Sequence, residues 1–229
     1  MKITTDPSLT DSKIDKPVQM PFLKRFFDIL VSSIVLIILS PLLVLIFLAL
    51  KIEGLFRPES RGPFLYSEIR ISQGRPFKFL KIRIFKQSVL DRTLRENGFI
   101  HTKPLERDPQ NLTATGKLLK QFYLDEATQV ASVFKGDMSF IGPRPWNPID
   151  YEKEISLGIY RKKVIKAGLT GLVQITKAER QKHPGQIDGL GLDDYYIKFC
   201  RSHSPFRILL FDLWITLESL AFVLRGQGL

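Results

Sequence analysis

The sequence predicts an α/β, monotopic membrane protein: an N-terminal re-entrant helix-break-helix, then a small sheet with surrounding amphipathic helices. Three observations lead there. The run Ile29–Leu50 carries no charge and is interrupted at its middle by Ser40-Pro41. Short runs rich in Phe, Ile, Leu and Tyr follow it, punctuated by Gly and Pro. Further on, helical patterns alternate with glycine stops, and the last of them, Phe206–Leu224, is apolar yet carries Arg207, Asp212 and Glu218.

The apolar run comes first. As a straight helix it would extend roughly 33 Å at about 1.5 Å per residue, enough for a hydrocarbon core of roughly 30 Å. Pro41 removes a helical hydrogen bond and biases Ser40 away from helical geometry, so a break is expected there. Each half is then too short to span. Lys24 and Arg25 precede the run, and Lys51, Arg57 and Arg61 follow it. Positive charge marks the cytoplasmic side, so both ends read as cytoplasmic, as in a hairpin that enters one leaflet and returns. A spanning helix with a proline kink stays open as the alternative. A signal peptide is disfavoured, because residues of mixed charge precede the run and no small-residue cleavage site follows it. The division expected is a flexible arm over 1–21, a re-entrant hairpin over 22–52 and a membrane-associated cytosolic domain over 53–229.

Phe64–Tyr66 and Phe77–Phe85 read as strands joined by a turn near Ser72–Arg75. Thr113 to Phe122 reads as a short helix capped by Thr113 or Thr115. Asp125 to Phe134 reads as another, stopped by Lys135-Gly136. Gly142-Pro143-Arg144-Pro145 is a stiff extended turn. Tyr151–Lys163 and Asp193–His203 read as helices, separated by the glycine-punctuated Gly168–Gly171 and an apolar run through Ile175. Phe206–Leu224 suits a packed or interfacial helix, since two acids at membrane depth would be costly.

Composition narrows the partners. The chain has 229 residues with 34 Lys+Arg and 23 Asp+Glu, a net charge of +11, and 44% hydrophobic residues. Enough apolar surface exists to exclude a disordered chain. The single cysteine, Cys200, excludes an internal disulfide and multi-cysteine metal sites. The basic excess implies an anionic partner, whether nucleic acid, lipid surface or phosphorylated small molecule. No nucleic-acid recognition motif is present, and the membrane segment speaks against that partner. His101, His183 and His203 are scattered and receive no role.

Candidate chemistry centres on the adjacent acids Asp125 and Glu126. At a helix start two carboxylates can divide the work, one holding a divalent metal while the other attacks phosphorus or a carbonyl. The bland alternative is a cap and a dipole-complementing acid. Arg144 is presented from a backbone stiffened by two prolines, an arrangement suited to bidentate phosphate binding. Lys81 and Arg83 alternate along a predicted strand and so share a face. Lys117 and Lys120 neighbour each other on the helix before the acid pair. Gln174 and Arg161 are further candidates for nucleotide or phosphate.

Three runs carry a resemblance: Gly116-Lys117-Leu118-Leu119-Lys120, then Leu124 through Gln129 with the acid pair, then the unbroken Lys135-Gly136-Asp137-Met138-Ser139-Phe140-Ile141-Gly142-Pro143-Arg144-Pro145. With Lys166 through Gln174 and Lys24-Arg25-Phe26-Phe27-Asp28, they resemble the bacterial sugar transferases, the monotopic small phosphoglycosyl transferases that start glycan assembly on undecaprenyl phosphate. The resemblance covers about residues 22–229. It implies that Asp125 attacks the β-phosphorus of a UDP-sugar, giving a covalent phosphosugar–enzyme intermediate and UMP, and that undecaprenyl phosphate then takes the phosphosugar. It further implies Mg²⁺ held by Glu126 with Asp125, and phosphate or nucleotide contacts from Arg144, Lys81, Arg83, Lys120, Arg70 and Gln174. Ser40 and Pro41 match the hairpin break. Localisation at the cytoplasmic face of a bacterial inner membrane follows, with phospholipid as a partner and a homo-oligomer left open. The sequence departs from the family's usual pattern at Glu68 (Gln), Ser72 (Gly), Lys120 (Arg), Thr128 (Pro), Ser132 (Asn) and Ala167 (Pro), and in the strand Lys81-Ile82-Arg83-Ile84-Phe85. Asp125, Glu126 and Arg144 are intact, so activity is expected; the alternative is a membrane-bound scaffold or regulator of the same fold.

Overall fold

The uncharged run becomes part of the longest helix in the protein. In the computed structural model, which describes residues 16–98, 100, 102, 104–177 and 189–224, helix α1 runs from Phe22 to Phe56 with Pro41 inside it. The helix has no gap at Ser40-Pro41, so the two expected halves form one element with the proline inside it. Proline has no N–H to give the Ile37 carbonyl, and the Ser40 hydroxyl donates to that same carbonyl at 2.8 Å. The orphaned acceptor is thereby satisfied, and a proline with a serine bonded back onto the preceding turn is where helices bend. By length and composition α1 could cross a membrane, and most of its apolar run is not covered by protein.

Two compact units can be distinguished. One comprises Ser32–Ile69 and Lys78–Ser132, the other Met1–Val31, Arg70–Phe77 and Val133–Leu229. Strands β1 (Leu65–Ser72) and β2 (Arg75–Ile82) form a two-stranded sheet whose connection is Gln73-Gly74, both at positive φ. That is the backbone a two-residue hairpin turn demands.

In the first unit, Ile46 and Leu50 lie four residues apart on one face of α1 and are buried with Tyr66, Ile82, Ile84, Phe85, Leu90, Leu112 and Leu119. Helices α2 (Gln87–Asn97) and α3 (Ala114–Gln121) complete this layer. Thr113 caps α3 as expected, accepting from the Gly116 amide at 2.9 Å. The Glu53 carboxylate of α1 accepts from the next two free amides, Ala114 and Thr115, at 2.8 Å each. Gly116 is a close-approach position: a Cβ there would sit 2.1 Å from the Ile84 carbonyl oxygen.

The other unit holds α4 (Gln129–Lys135, shared with the first), β3 (Ser139–Ile141), α5 (Pro148–Ser156), α6 (Arg161–Val164), β4 (Gly168–Thr170), α7 (Leu172–Ile175), α8 (Gly189–Ser202) and α9 (Pro205–Leu224). The helix expected over Tyr151–Lys163 is two pieces, α5 and α6, because Gly158 turns left-handed at φ 75. Strands β3 and β4 pair in parallel, Ser139 with Gly168 and Ile141 with Thr170. This joins two of the sequence runs that carry the resemblance.

Polar groups hold this unit from within. Lys24 pairs with the fully buried Asp212, which also accepts from the Tyr196 hydroxyl at 2.7 Å. Asp28 accepts from the Phe140 amide at 3.1 Å, and Arg25 donates to the Val133 and Phe134 carbonyls. Arg161 bonds Glu154 and Asp193, and Lys162 bonds Glu154 at 3.0 Å while its ammonium lies 3.2 Å from the Trp146 ring centroid. On α9, Ile208, Asp212, Ile215 and Ser219 are buried, whereas Phe206, Leu210, Leu213, Trp214, Leu217 and Leu220 are exposed. An apolar stripe of that kind belongs on a lipid interface.

Removing one member of the Lys24–Asp212 pair leaves a buried charge alone, so Asp212→Asn is expected to cost about 3–5 kcal/mol. Thermal unfolding in detergent measures it, and Lys24→Met/Asp212→Leu should recover most of the loss. Burial pushes the Asp193 carboxyl up to about 6, against the pull of Arg161 and Lys162. The folded value then exceeds the unfolded one, so this group's stabilisation is present at low pH and fades as pH rises through about 6. Relative to Asp193→Asn, the wild-type melting temperature should fall between pH 4 and pH 6.

Candidate active site

The acid pair does not start a regular helix. Leu124, Asp125 and Glu126 form a single 3₁₀ turn, and α4 begins at Gln129. Tyr123, ahead of that turn, adopts a left-handed backbone with φ 55, a costly conformation for a bulky residue. The turn packs against α3, which Gly116 and Glu53 hold in place. Thr128, just after it, donates its hydroxyl to the Leu80 carbonyl at 2.9 Å and ties the acid loop to β2.

The two acids differ in environment. Asp125 is 6% exposed, while the Glu126 side chain is 31% exposed. Burial, reinforced by the neighbouring Glu126 charge, pushes the Asp125 carboxyl up to about 6; Lys81 opposes this and Glu106 adds to it. The Lys81 ammonium, itself buried, lies 3.4 Å from Glu126 Oε1 and 3.9 Å from Glu68 Oε1, and 5.7 Å from the Phe79 ring centroid. Glu68 Oε1 also accepts from Thr102 Oγ1 at 2.8 Å, with the Tyr66 hydroxyl at 3.5 Å. Lys120 donates to the Glu106 carbonyl and lies 3.8 Å from its carboxylate.

One unit of the protein therefore gathers Asp125, Glu126, Lys81 and Lys120. It adds Glu68, Glu106, Tyr66 and Thr102, none of them a catalytic candidate by sequence. Their partners are remote in sequence, so no local spacing marks them. Carboxylates outnumber ammonium groups in this cluster, and carboxylate oxygens are the hard donors that suit Mg²⁺, which is commonly held by one or two carboxylates together with substrate phosphates. Among the described residues no group of three or more such side chains is placed to hold a metal ion by itself, so a cation at Asp125 and Glu126 would have to share its coordination with substrate phosphates.

Arg83 is in the same unit but is engaged elsewhere. It is 1% exposed, and its guanidinium donates to the carbonyls of Pro63, Phe85 and Ser60 at 2.8, 2.6 and 2.8 Å. Lys117 is exposed on α3. Arg144, Arg70 and Gln174 belong to the other unit. Arg144 is exposed directly after β3, between buried Pro143 and Pro145. Arg70 is half-buried on β1. Gln174 is 5% exposed, and neither atom of its amide has a hydrogen-bond partner among the described residues. Arg161 is committed to Glu154 and Asp193. Of the histidines, His203 stacks on Phe199; His101 and His183 lie outside the described residues.

Comparison with known proteins adds the following. A family model described as bacterial sugar transferase matches residues 19–226. The chain is 29% identical over 216 residues to the UDP-N-acetylgalactosamine-undecaprenyl-phosphate N-acetylgalactosaminephosphotransferase of Aeromonas hydrophila, covering 90% of this chain and 45% of that protein. It is 33% identical over 156 residues to the UDP-glucose:undecaprenyl-phosphate glucose-1-phosphate transferase of Escherichia coli (strain K12), covering 67% and 31%. With the exopolysaccharide production protein ExoY of Sinorhizobium fredii it is 29% identical over 214 residues, covering 90% and 87%. The chain thus spans less than half the length of the first two and most of the third.

The Arg83 geometry separates a structural from a substrate-binding role. Arg83→Met leaves several carbonyls without donors, at about 1–3 kcal/mol for each that stays buried. The expected result is a large fall in melting temperature, only partly recovered by Arg83→Lys. In the folded fraction the KM for any substrate of the acid cluster should stay unchanged.

Proposed function

The chain belongs to the bacterial sugar transferase family, and from that premise we propose that it moves a sugar 1-phosphate from a UDP-sugar to undecaprenyl phosphate, releasing UMP and starting the assembly of a glycan. The observation that carries this is the buried Asp125 beside the part-exposed Glu126, with the Lys81 ammonium 3.4 Å from Glu126. Relatives whose printed names describe transfer of a sugar phosphate to undecaprenyl phosphate support the same reaction.

In the first step an Asp125 carboxylate oxygen attacks the β-phosphorus of the donor. A bond forms from that oxygen to phosphorus, and the bond from phosphorus to the oxygen bridging to the α-phosphate breaks, so that UMP leaves with the electron pair. In the second step a phosphate oxygen of undecaprenyl phosphate attacks the same phosphorus. The bond to Asp125 breaks, the carboxylate is restored, and the product is a polyprenyl diphosphosugar. Neither displacement needs a proton at the reacting oxygens. In-line geometry and cations around the nonbridging oxygens are the requirements. Asp125 and Glu126 would hold Mg²⁺, which supplies charge stabilisation for a diphosphate when bound. Lys81 brings fixed positive charge to the acid pair. Arg144, presented by its proline-stiffened turn, and Gln174, whose buried amide lacks a partner among the described residues, are assigned to donor phosphate or nucleotide.

A soluble donor and a lipid acceptor must meet at the headgroup level. We assign α1 to a re-entrant position with both basic flanks on the cytoplasmic side, and the exposed stripe of α9 to the same leaflet surface. The protein then sits on the cytoplasmic face of a bacterial inner membrane.

The test is UMP release by nanodisc-embedded protein given undecaprenyl phosphate, Mg²⁺ and a panel of UDP-sugars. One sugar should support release, and Asp125→Asn should lower kcat by at least about a thousandfold. Glu126→Gln should shift the Mg²⁺ dependence to higher concentration. Chelation should abolish turnover and addition of Mg²⁺ restore it. Membrane-bound, folded protein that releases UMP from none of the sugars would mark a scaffold and overturn this function.

A further inference from the structure

A polar cavity of about 270 Å³ lies against the last turn of α1, away from the groups that surround Lys81. Three cations line it: Arg57, just past the end of α1, Lys86, just before α2, and Lys117 on α3. Lys86 is half-buried and the other two are exposed. Two carboxylates share the wall, Glu53 and Glu59. Glu53 is already committed: its oxygens accept from the Ala114 and Thr115 amides at 2.8 Å each and from the Ser60 hydroxyl at 2.7 Å. That leaves Glu59 to set against Arg57, Lys86 and Lys117, and among the described residues none of those three side chains makes an ion pair or a hydrogen bond. Cations gathered on one concavity without partners repel one another and raise the local concentration of anions.

The place of the cavity selects among anions. On the same stretch of α1, Ile52, Leu55 and Phe56 are 53%, 72% and 81% exposed. One turn earlier the Lys51 ammonium lies over the Phe47 ring, 5.6 Å from its centroid, the placement of a cation whose stem runs along apolar surface. A soluble phosphate compound would satisfy the cations and leave those apolar side chains in water. A phosphate joined to hydrocarbon chains satisfies both. A choline headgroup would add a further cation to the three, so the headgroup must carry net negative charge. We propose that this cavity binds the headgroup phosphate of an anionic phospholipid, with Arg57, Lys86 and Lys117 as its cations and the acyl chains along Ile52 and Phe56. The proposal rests on the assignment of α1 to the membrane and is independent of the chemistry at Asp125. Thr113 and Ala114 line the same cavity, so the bound headgroup covers the start of α3.

The experiment is native mass spectrometry of the full chain in a neutral detergent, titrated with phosphatidylglycerol or with phosphatidylcholine of the same acyl chains. The first phosphatidylglycerol is expected to bind about tenfold more tightly than the first phosphatidylcholine, within what three cations near a membrane supply at roughly fivefold each. Arg57→Gln/Lys86→Gln should reduce that preference to about twofold or less, whereas the charge-matched Arg92→Gln/Arg95→Gln on α2 should retain it. Equal losses in the two double variants mean attraction by overall charge and overturn the site. Glu59→Gln removes the opposing carboxylate and should tighten phosphatidylglycerol binding about threefold; this gain serves if the Arg57/Lys86 variant fails to fold, and an unchanged affinity counts against the proposal. Inorganic phosphate that displaces the lipid at concentrations near the lipid's own Kd makes the ligand a soluble anion and also overturns it. Flotation of the wild type with phosphatidylcholine vesicles is followed in parallel. Protein that fails to float sinks the assignment of α1 to the membrane, whereas membrane-bound protein without the lipid preference sinks only this site.

Discussion

A lysine almost sealed from water survives only where carboxylates surround it, and the candidate site is arranged around such a lysine. Lys81 is 5% exposed, and the Glu68 and Glu126 carboxylates lie on it at 3.9 and 3.4 Å. The desolvation of an ammonium group outweighs any single surface ion pair. The strand that carries Lys81, the strand that carries Glu68 and the turn that carries Glu126 are consequently bound to one arrangement. The other unit obeys the same constraint at Lys24 with Asp212 and at Arg161 with Glu154 and Asp193. There, however, the cations are consumed by their partners and serve packing. Among the buried cations of the described residues, Lys81 has a part-exposed carboxylate partner in Glu126, and that asymmetry distinguishes it from a structural ion pair.

The membrane helix is mechanically part of the unit that holds the acids. Ile46 and Leu50 enter its core, and Glu53, a turn later on the same helix, accepts from the first amides of α3. Helix α3 leads into the turn bearing Asp125 and Glu126. A displacement of the end of α1 would thus be felt at the acid turn through one carboxylate and one short helix. The apolar helix that could enter a membrane therefore also fixes the start of the segment that leads into the acid pair. At Pro41 the Ser40 hydroxyl takes the place of the missing backbone donor to the Ile37 carbonyl, so the Ser-Pro pair makes proline tolerable inside the helix.

Much of this was legible from local pattern. The hairpin turn at Gln73-Gly74, the Thr113 cap, the glycine stop at Gly136 and the apolar helix are all set by residues within a few positions of one another. What was not legible depended on remote partners. Arg83 reads as a surface cation on an alternating strand, and only the approach of the Ser60 and Pro63 carbonyls turns it into a buried brace. Glu68 reads as a single departure from a family pattern, and its meaning depends on Thr102 and Lys81, which reach it through the fold. The parallel pairing of β3 with β4 is equally invisible in either three-residue strand taken alone. The acid pair stands out in the sequence, but its backbone does not, because a helix-cap pattern and a 3₁₀ turn ask for the same residues.

In the proposed reaction the different surroundings of the two acids would suit a division of labour between neighbours of nearly identical chemistry. Asp125 is desolvated, which raises its proton affinity to about 6 and leaves its anion poorly solvated, the condition in which a carboxylate is a stronger nucleophile. Glu126 keeps access to solvent on one side and meets Lys81 on the other, so its anion is stabilised and suited to holding a cation. Exchanging the two roles would require a solvated nucleophile, the weaker choice. The order Asp-Glu within a turn that buries the first residue and exposes the second is therefore a consequence of where α3 ends and of where Lys81 can be accommodated.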